Sequence, residues 1–169
     1  MLLIIITALA LSGAVGAGLA GGLGVGILTF VCGWIGWLMV ALLVLLVAAA
    51  VVDKDKEEET DSIFYRCLTH LVIDLAVTVG RVKIVCRGAE KLPKEGRFLL
   101  VCNHQSDIDP ALLMRCFPKG QLAFIGKKET KDMFLIGEVM HKLLCQYINR
   151  ENDREALKTI LKCIQLIKE

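Results

Sequence analysis

The first 52 residues contain no Asp, Glu, Lys, Arg or His, and every charge in the chain lies from Asp53 onward. A split this complete marks two solvents. A helix needs ~20 predominantly apolar residues to cross the hydrocarbon core of a bilayer, so the run from Leu2 to Val52 is long enough for two crossings. Helix is the conformation open to a single such segment, because lipid satisfies no peptide group. A helical membrane hairpin is expected, with helix one starting near Leu2, helix two covering about residues 30–52, and a Gly-rich stretch between them. One long kinked helix is the alternative. A cleaved signal peptide fits poorly: there is no positive n-region, and the apolar part far exceeds the usual ~7 to 15 residues.

Two glycine patterns fall in this segment. Gly16, Gly18 and Gly21 match the dinucleotide-binding G-x-G-x-x-G. No strand precedes them and no acidic residue follows at the ribose-binding distance, so the match is compositional. Gly18, Gly22 and Gly26 recur every four residues, a spacing that lines one face of a continuous helix with hydrogens and lets another helix backbone approach. Helix two or a neighbouring copy of the chain would supply that backbone. A Gly/Ala segment without a specific partner is the alternative.

Residues 53–59 read DKDKEEE and carry a net charge of −3, which leaves +5 on residues 60–169 of a chain whose total is +2. The expected organisation is a membrane anchor at 1–52, a solvated acidic linker at 53–61 and a modestly basic domain at 62–169. Such a balance suits an anionic lipid surface or a phosphorylated ligand, and no nucleic-acid partner is expected. The seven cysteines form no C-x-x-C pair and are odd in number. Neither a zinc site nor a disulfide framework is therefore expected. Cysteines placed singly in apolar runs act as small hydrophobes and suit a reducing compartment, which places the domain on the cytoplasmic face of the membrane.

Ile63, Phe64, Cys67, Leu68, Leu71, Val72 and Leu75 recur at helical spacing and predict an amphipathic helix, lying in the membrane interface or starting the domain core. Residues 81–87 alternate apolar with basic and predict a half-exposed strand; a turn is expected at 92–96. Residues 98–102, FLLVC, form an unbroken apolar run of the kind found in strands covered on both faces. Beyond them the pattern predicts a short helix after Pro110, a strand at 122–125, a helix over about 129–144, a strand at 146–148 and a final helix. That helix opens on the capping-box-like Asn152-Asp153-Arg154-Glu155 and carries Leu157, Ile160, Leu161 and Ile164 as its apolar stripe. Alternating strands and helices give an α/β sandwich.

The segment with chemical content is Asn103-His104-Gln105-Ser106-Asp107-Ile108-Asp109-Pro110. A His leaves an apolar strand and an Asp follows five positions later at a helix start. In a tight turn the carboxylate can accept the imidazole N–H and leave the other ring nitrogen free to take a proton from a hydroxyl. Two structural readings stand beside this one. Asp109 before Pro110 is a good N-cap, and His104 can be a satisfied core histidine. One His with nearby carboxylates does not make a metal ligand set.

The segment resembles the N-H-x-x-x-x-D block of the lysophospholipid and glycerophosphate acyltransferase family. The resemblance extends to Gly88-Ala89-Glu90-Lys91-Leu92-Pro93 upstream, and downstream to Lys127-Lys128-Glu129, Gly137 and Tyr147-Ile148-Asn149-Arg150, covering about residues 60–169. Thr130, Phe134 and Asn149 stand where the family often has Leu, Pro and Asp. The resemblance implies an acyltransferase domain on its membrane hairpin that moves a fatty acyl group from acyl-CoA or acyl carrier protein to the free hydroxyl of lysophosphatidic acid, giving phosphatidic acid. It implies His104 as the base, Asp109 as its orienting partner, and Lys127, Lys128 and Arg150 as holders of the acceptor phosphate, with no metal and no bound cofactor. The family's third block, F-P-E-G-T-R, would follow the last helix, and the sequence stops at Glu169. An incomplete domain with little or no turnover is expected on that ground, and a non-catalytic membrane-associated fragment or adaptor is the rival reading.

Residues 2–52 offer no charge to oppose insertion, so the chain should stay with membranes through washes at high salt and high pH. Recovery of the protein in the wash supernatant would refute the anchor.

Overall fold

The computed structural model describes residues 2–93 and 95–168. The chain divides into two compact units, Met1–Val52 and Asp53–Glu169.

The first unit is an antiparallel pair of helices, α1 (Leu2–Gly21) and α2 (Leu23–Ala50). At ~1.5 Å per residue their 20 and 28 residues span ~30 and ~42 Å, and both are long and apolar enough to cross a membrane. Gly22 makes the turn at φ 84°, in the left-handed region that glycine adopts without a Cβ penalty. Helix two thus begins at Leu23, earlier than the position near residue 30 that the apolar pattern suggested. The break also changes the meaning of the glycine repeat. Gly18 and Gly26 do not share one continuous helix but meet across the turn. A Cβ added at Gly26 would lie 3.1 Å from the Gly18 Cα and 3.1 Å from the Ala14 carbonyl oxygen. The close approach is spent inside the hairpin. Farther along, Trp34 Nε1 donates to Thr7 Oγ1 at 3.2 Å.

The second unit mixes helices with a small parallel sheet. Its helices are α3 (Ile63–Val79), α4 (Asp109–Cys116), α5 (Ile136–Lys142) and α6 (Asp153–Lys168). Strands β1 (Ile125–Lys127) and β2 (Gln146–Ile148) pair in parallel, with Gly126 opposite Tyr147. The helix expected over 129–144 is divided: a 3-10 turn covers Lys128–Asp132, and α5 starts only after Leu135, whose φ of 67° interrupts the helical path. Gly137 is indispensable at this junction, since a Cβ there would sit 2.1 Å from the Lys131 carbonyl oxygen. Tyr147 on β2 donates its hydroxyl to the Gly137 carbonyl at 3.0 Å. Tyr65, Ile73, Met114, Leu143 and Cys145 form the buried apolar core around these elements. Burial pushes the Cys145 thiol up to about 11.

Several expectations fail, each for a physical reason. Residues 81–87 and 98–102 run without strand pairing, because a strand exists only against a hydrogen-bonded neighbour and none of the described residues pairs with them. Leu99 and Val101, expected to be covered on both faces, are 69% and 80% exposed. The turn at 92–96 includes Lys94, outside the described residues; Gly96 in it has φ 77°. The cysteine reading is also corrected. Cys86 and Cys116 form a disulfide, brought to a Cα–Cα distance of 5.9 Å by a fold that no sequence spacing of 30 residues announces. Of the remaining cysteines, Cys145 alone is fully buried, and Cys32, Cys67 and Cys102 are exposed.

The acidic segment is not a free solvated spacer. Lys54 pairs with the buried Glu138 at 3.0 Å, Asp55 with Lys131 at 3.6 Å, Glu57 with Lys162 at 2.8 Å, and Glu58 with Lys142. Burial opposes the charge on Glu138, but the Lys54 ammonium together with backbone hydrogen bonds holds the carboxyl below its usual range. On α6, Asn152 Oδ1 accepts from the Arg154 and Glu155 amides at 3.1 and 3.3 Å, which is the expected cap. The helix rests on its Ala156, Thr159, Cys163 and Leu166 face, while the stripe of Leu157, Ile160, Leu161 and Ile164 stays exposed.

Gly137→Ala should lower the stability of the second unit by ~2 kcal/mol or more, because the new methyl meets backbone, which cannot rotate aside. Chemical denaturation of the detergent-solubilised chain, followed by the near-ultraviolet absorbance of Tyr65 and Tyr147, checks this. An unchanged midpoint would contradict the crowding.

Candidate acyl-transfer site

The turn between the apolar run 98–102 and α4 is built on one carboxylate oxygen. Asp109 Oδ2 accepts the backbone N–H groups of Gln105 at 2.8 Å and Ser106 at 2.9 Å, and lies 2.9 Å from His104 Nδ1. The Asp109 amide in turn donates to the Ser106 carbonyl at 2.9 Å, closing the turn. Asp109 is therefore not the N-cap that its place before Pro110 suggested. It is the first residue of α4, its carboxylate reaches back to the preceding turn, and no side chain caps the helix. Nor is His104 a core histidine, since its side chain is 58% exposed.

These contacts settle the electrostatics. Hydrogen bonds from the Ser106 and Gln105 amides, followed by that from His104, hold the Asp109 carboxyl below the ordinary carboxylate range. An ionised carboxylate can only accept, so Nδ1 carries the proton of the neutral ring and Nε2 keeps its lone pair. The arrangement can do one thing well, which is to withdraw a proton from a group presented at Nε2 while Asp109 stabilises the resulting imidazolium.

The three basic residues implied by the family resemblance lie elsewhere on the unit. Lys127 ends β1, Lys128 opens the following 3-10 turn, and Arg150 lies two residues past β2. Because Lys127 is in register with Ile148, all three fall at the C-terminal end of the sheet, and all are exposed. Lys128 is 3.9 Å from Glu155. Among the described residues, no hydrogen bond or ion pair links these cations to His104 or Asp109. The structure thus gathers the pair, and separately gathers the cations at one sheet end.

Helix α4 is braced at its far end by features that carry no sequence signal. Cys116 is disulfide-bonded to Cys86, and Arg115 Nε lies 2.9 Å from Asp74 on α3. Both hold the helix whose first residue orients the imidazole.

The family model described as Acyltransferase matches residues 83–169, just over half of the chain, and so takes in the whole turn with His104 and Asp109. The chain belongs to this family. A protein of Mycoplasma pneumoniae described as a probable 1-acyl-sn-glycerol-3-phosphate acyltransferase is 31% identical over 102 residues, covering 58% of this chain and 38% of its own length. The 1-acyl-sn-glycerol-3-phosphate acyltransferase of Saccharomyces cerevisiae is 32% identical over 104 residues, covering 62% of this chain and 32% of its own. The chain spans about a third of the length of the curated relatives it matches. No solved structure matches it.

The depressed Asp109 carboxyl gives a pH prediction. A carboxylate with a lowered folded pKa contributes stability above its unfolded value, and the contribution is lost as pH falls through the folded one. The His104–Asp109 contact should therefore persist down to about pH 4 and fail only below it. Imidazole ¹⁵N chemical shifts should report Nδ1–H as the neutral tautomer, and Asp109→Asn should shift the ring toward a tautomer mixture. A mixture already present in the unaltered chain would refute the assignment.

Proposed function

We propose that the chain transfers a fatty acyl group from acyl-CoA or acyl carrier protein to the free hydroxyl of lysophosphatidic acid, forming phosphatidic acid. The observation that carries this reading is the 2.9 Å contact between His104 Nδ1 and Asp109 Oδ2 on an exposed imidazole. Nε2 takes the proton of the acceptor hydroxyl as its oxygen attacks the thioester carbonyl. The C–S bond then breaks and the imidazolium returns the proton to the departing thiolate. No Ser or Cys nucleophile is needed, because the acceptor supplies the attacking oxygen. Lys127, Lys128 and Arg150 are suited to hold the acceptor phosphate by charge-assisted hydrogen bonds. The names of the relatives support this acceptor.

In this reading α1 and α2 cross the cell membrane and keep the domain at the surface where its lipid acceptor resides. The domain works on the cytoplasmic face, where acyl thioesters are supplied. Cys86 and Cys116 are the disulfide-bonded pair, and the five further cysteines are free thiols.

His104→Ala should lower acyl transfer by ~10² to 10⁴, the usual worth of general-base help and equivalent to roughly 3 to 5 kcal/mol of barrier. Membrane retention should be unchanged. The assay is transfer of labelled acyl chain from acyl-CoA to lysophosphatidic acid by the reconstituted chain extended with a segment carrying F-P-E-G-T-R. Turnover by the extended variant close to that of its unaltered counterpart would remove His104 from the chemistry, and no turnover by either extended form would remove the function.

A further inference from the structure

Residues 54–58 of the acidic segment line one side of a cleft of about 270 Å³ that none of the groups discussed for acyl transfer lines. The rest of its wall includes residues of four elements: Lys131 at the 3-10 turn, His141 on α5, Gln146 and Tyr147 on β2, and Lys162 on α6. Lys142, next to His141, faces the same acidic segment. The cations are matched one to one by carboxylates from a single short stretch of chain: Asp55 with Lys131, Glu57 with Lys162, and Glu58 with Lys142.

This match is incomplete in a telling way. His141 Nε2 is buried without a hydrogen-bond partner, and Glu58, 3.9 Å away, is within ion-pair distance but beyond hydrogen-bonding reach. Asp55 and Glu57 make their pairs almost wholly in solvent, with side chains 95% and 84% exposed, where ion pairs are weak and screened. Only Glu58 is sheltered. The wall's cations stand on folded elements, whereas their counter-charges sit on one short segment, or strap, that Lys54 ties to Glu138 at 3.0 Å. A phosphate group presents several acceptor oxygens on one centre. It can serve an imidazole N–H and two lysines together, which carboxylates on separate stems do not.

We propose that this cleft is a binding site for a phosphate-bearing anion, which takes Lys142, Lys162 and His141 by displacing Glu57 and Glu58. The site is separate from the acyl-transfer residues, so it stands or falls independently of them. Lipid headgroups are one source of the anion, since Glu58 follows Val52, the end of the uncharged apolar run, by six positions. A soluble phosphate ester is the other.

Zero-length carbodiimide coupling of the full chain in nanodiscs tests the site directly, because it joins carboxylates only to amines they touch. In phosphatidylcholine alone, mass spectrometry should find Glu58–Lys142 and Glu57–Lys162 crosslinks. Replacing half the lipid with phosphatidylglycerol at constant ionic strength should lower both yields about tenfold if headgroups are the ligand. Dimethyl phosphate added to phosphatidylcholine nanodiscs should do so if a soluble ester suffices. Yields unchanged in both arms would overturn the proposal. In Glu57→Gln/Glu58→Gln, the effective anion should protect Lys142 and Lys162 from acetylation at several-fold lower concentration than in the unaltered chain. Equal protection would mean that strap and anion do not share these lysines, and would also overturn it.

Discussion

The second unit depends on one side chain, Arg66. Its guanidinium forks onto both oxygens of Asp61, at 2.6 and 2.8 Å, and donates to the Leu122 carbonyl at 3.2 Å. The ion pair is sheltered, with side chains 11% and 9% exposed. A buried pair of this kind adds little by attraction alone, but removing either partner leaves an uncompensated charge in a low-dielectric site. Its geometric effect is larger. It ties the entry to α3, α3 itself and the segment leading into β1 to one point, and so decides where the sheet lies against the helix.

From that point the remaining order follows by short links. Asp74 on α3 holds Arg115 on α4, and the Cys86–Cys116 disulfide holds the same helix end. The N-terminus of α4 then presents Asp109 to the turn behind it, where one oxygen gathers two amides and an imidazole. The pair has few other supports. His104 stands in solvent, and the apolar run leading into it is unpaired and exposed. In the proposed reading this accessibility lets the acceptor hydroxyl reach Nε2.

Charge is arranged on the same principle of separate tasks. The cations at the sheet end, Lys127, Lys128 and Arg150, are exposed and lightly engaged, whereas Lys131, Lys142 and Lys162 are each matched by the acidic strap. A net charge of +5 over residues 60–169 therefore does not describe a uniformly basic face. One set of cations is open, and the other is covered by charge carried on the chain itself.

What the sequence determined by itself was whatever depends on local pattern. The uncharged run gave two long helices, the conformation that satisfies peptide groups within the segment itself. Three-to-four-residue periodicity gave α3 and α6, and Asn152 gave the α6 cap, since these require only neighbours within one turn. The His104–Asp109 pair was legible for the same reason, its five-residue spacing closing within a single turn. Tertiary structure decided the rest. Residues 81–87 and 98–102 have strand-like composition, yet strands need a partner that composition cannot supply. Gly22 split a glycine repeat that reads as one helix face, Leu135 split a helix whose apolar pattern runs through it, and Cys86 met Cys116 across 30 residues. The acidic strap looked like a solvated linker because charge in sequence has no direction, and it took the folded positions of Lys131, Lys142 and Lys162 to give it one.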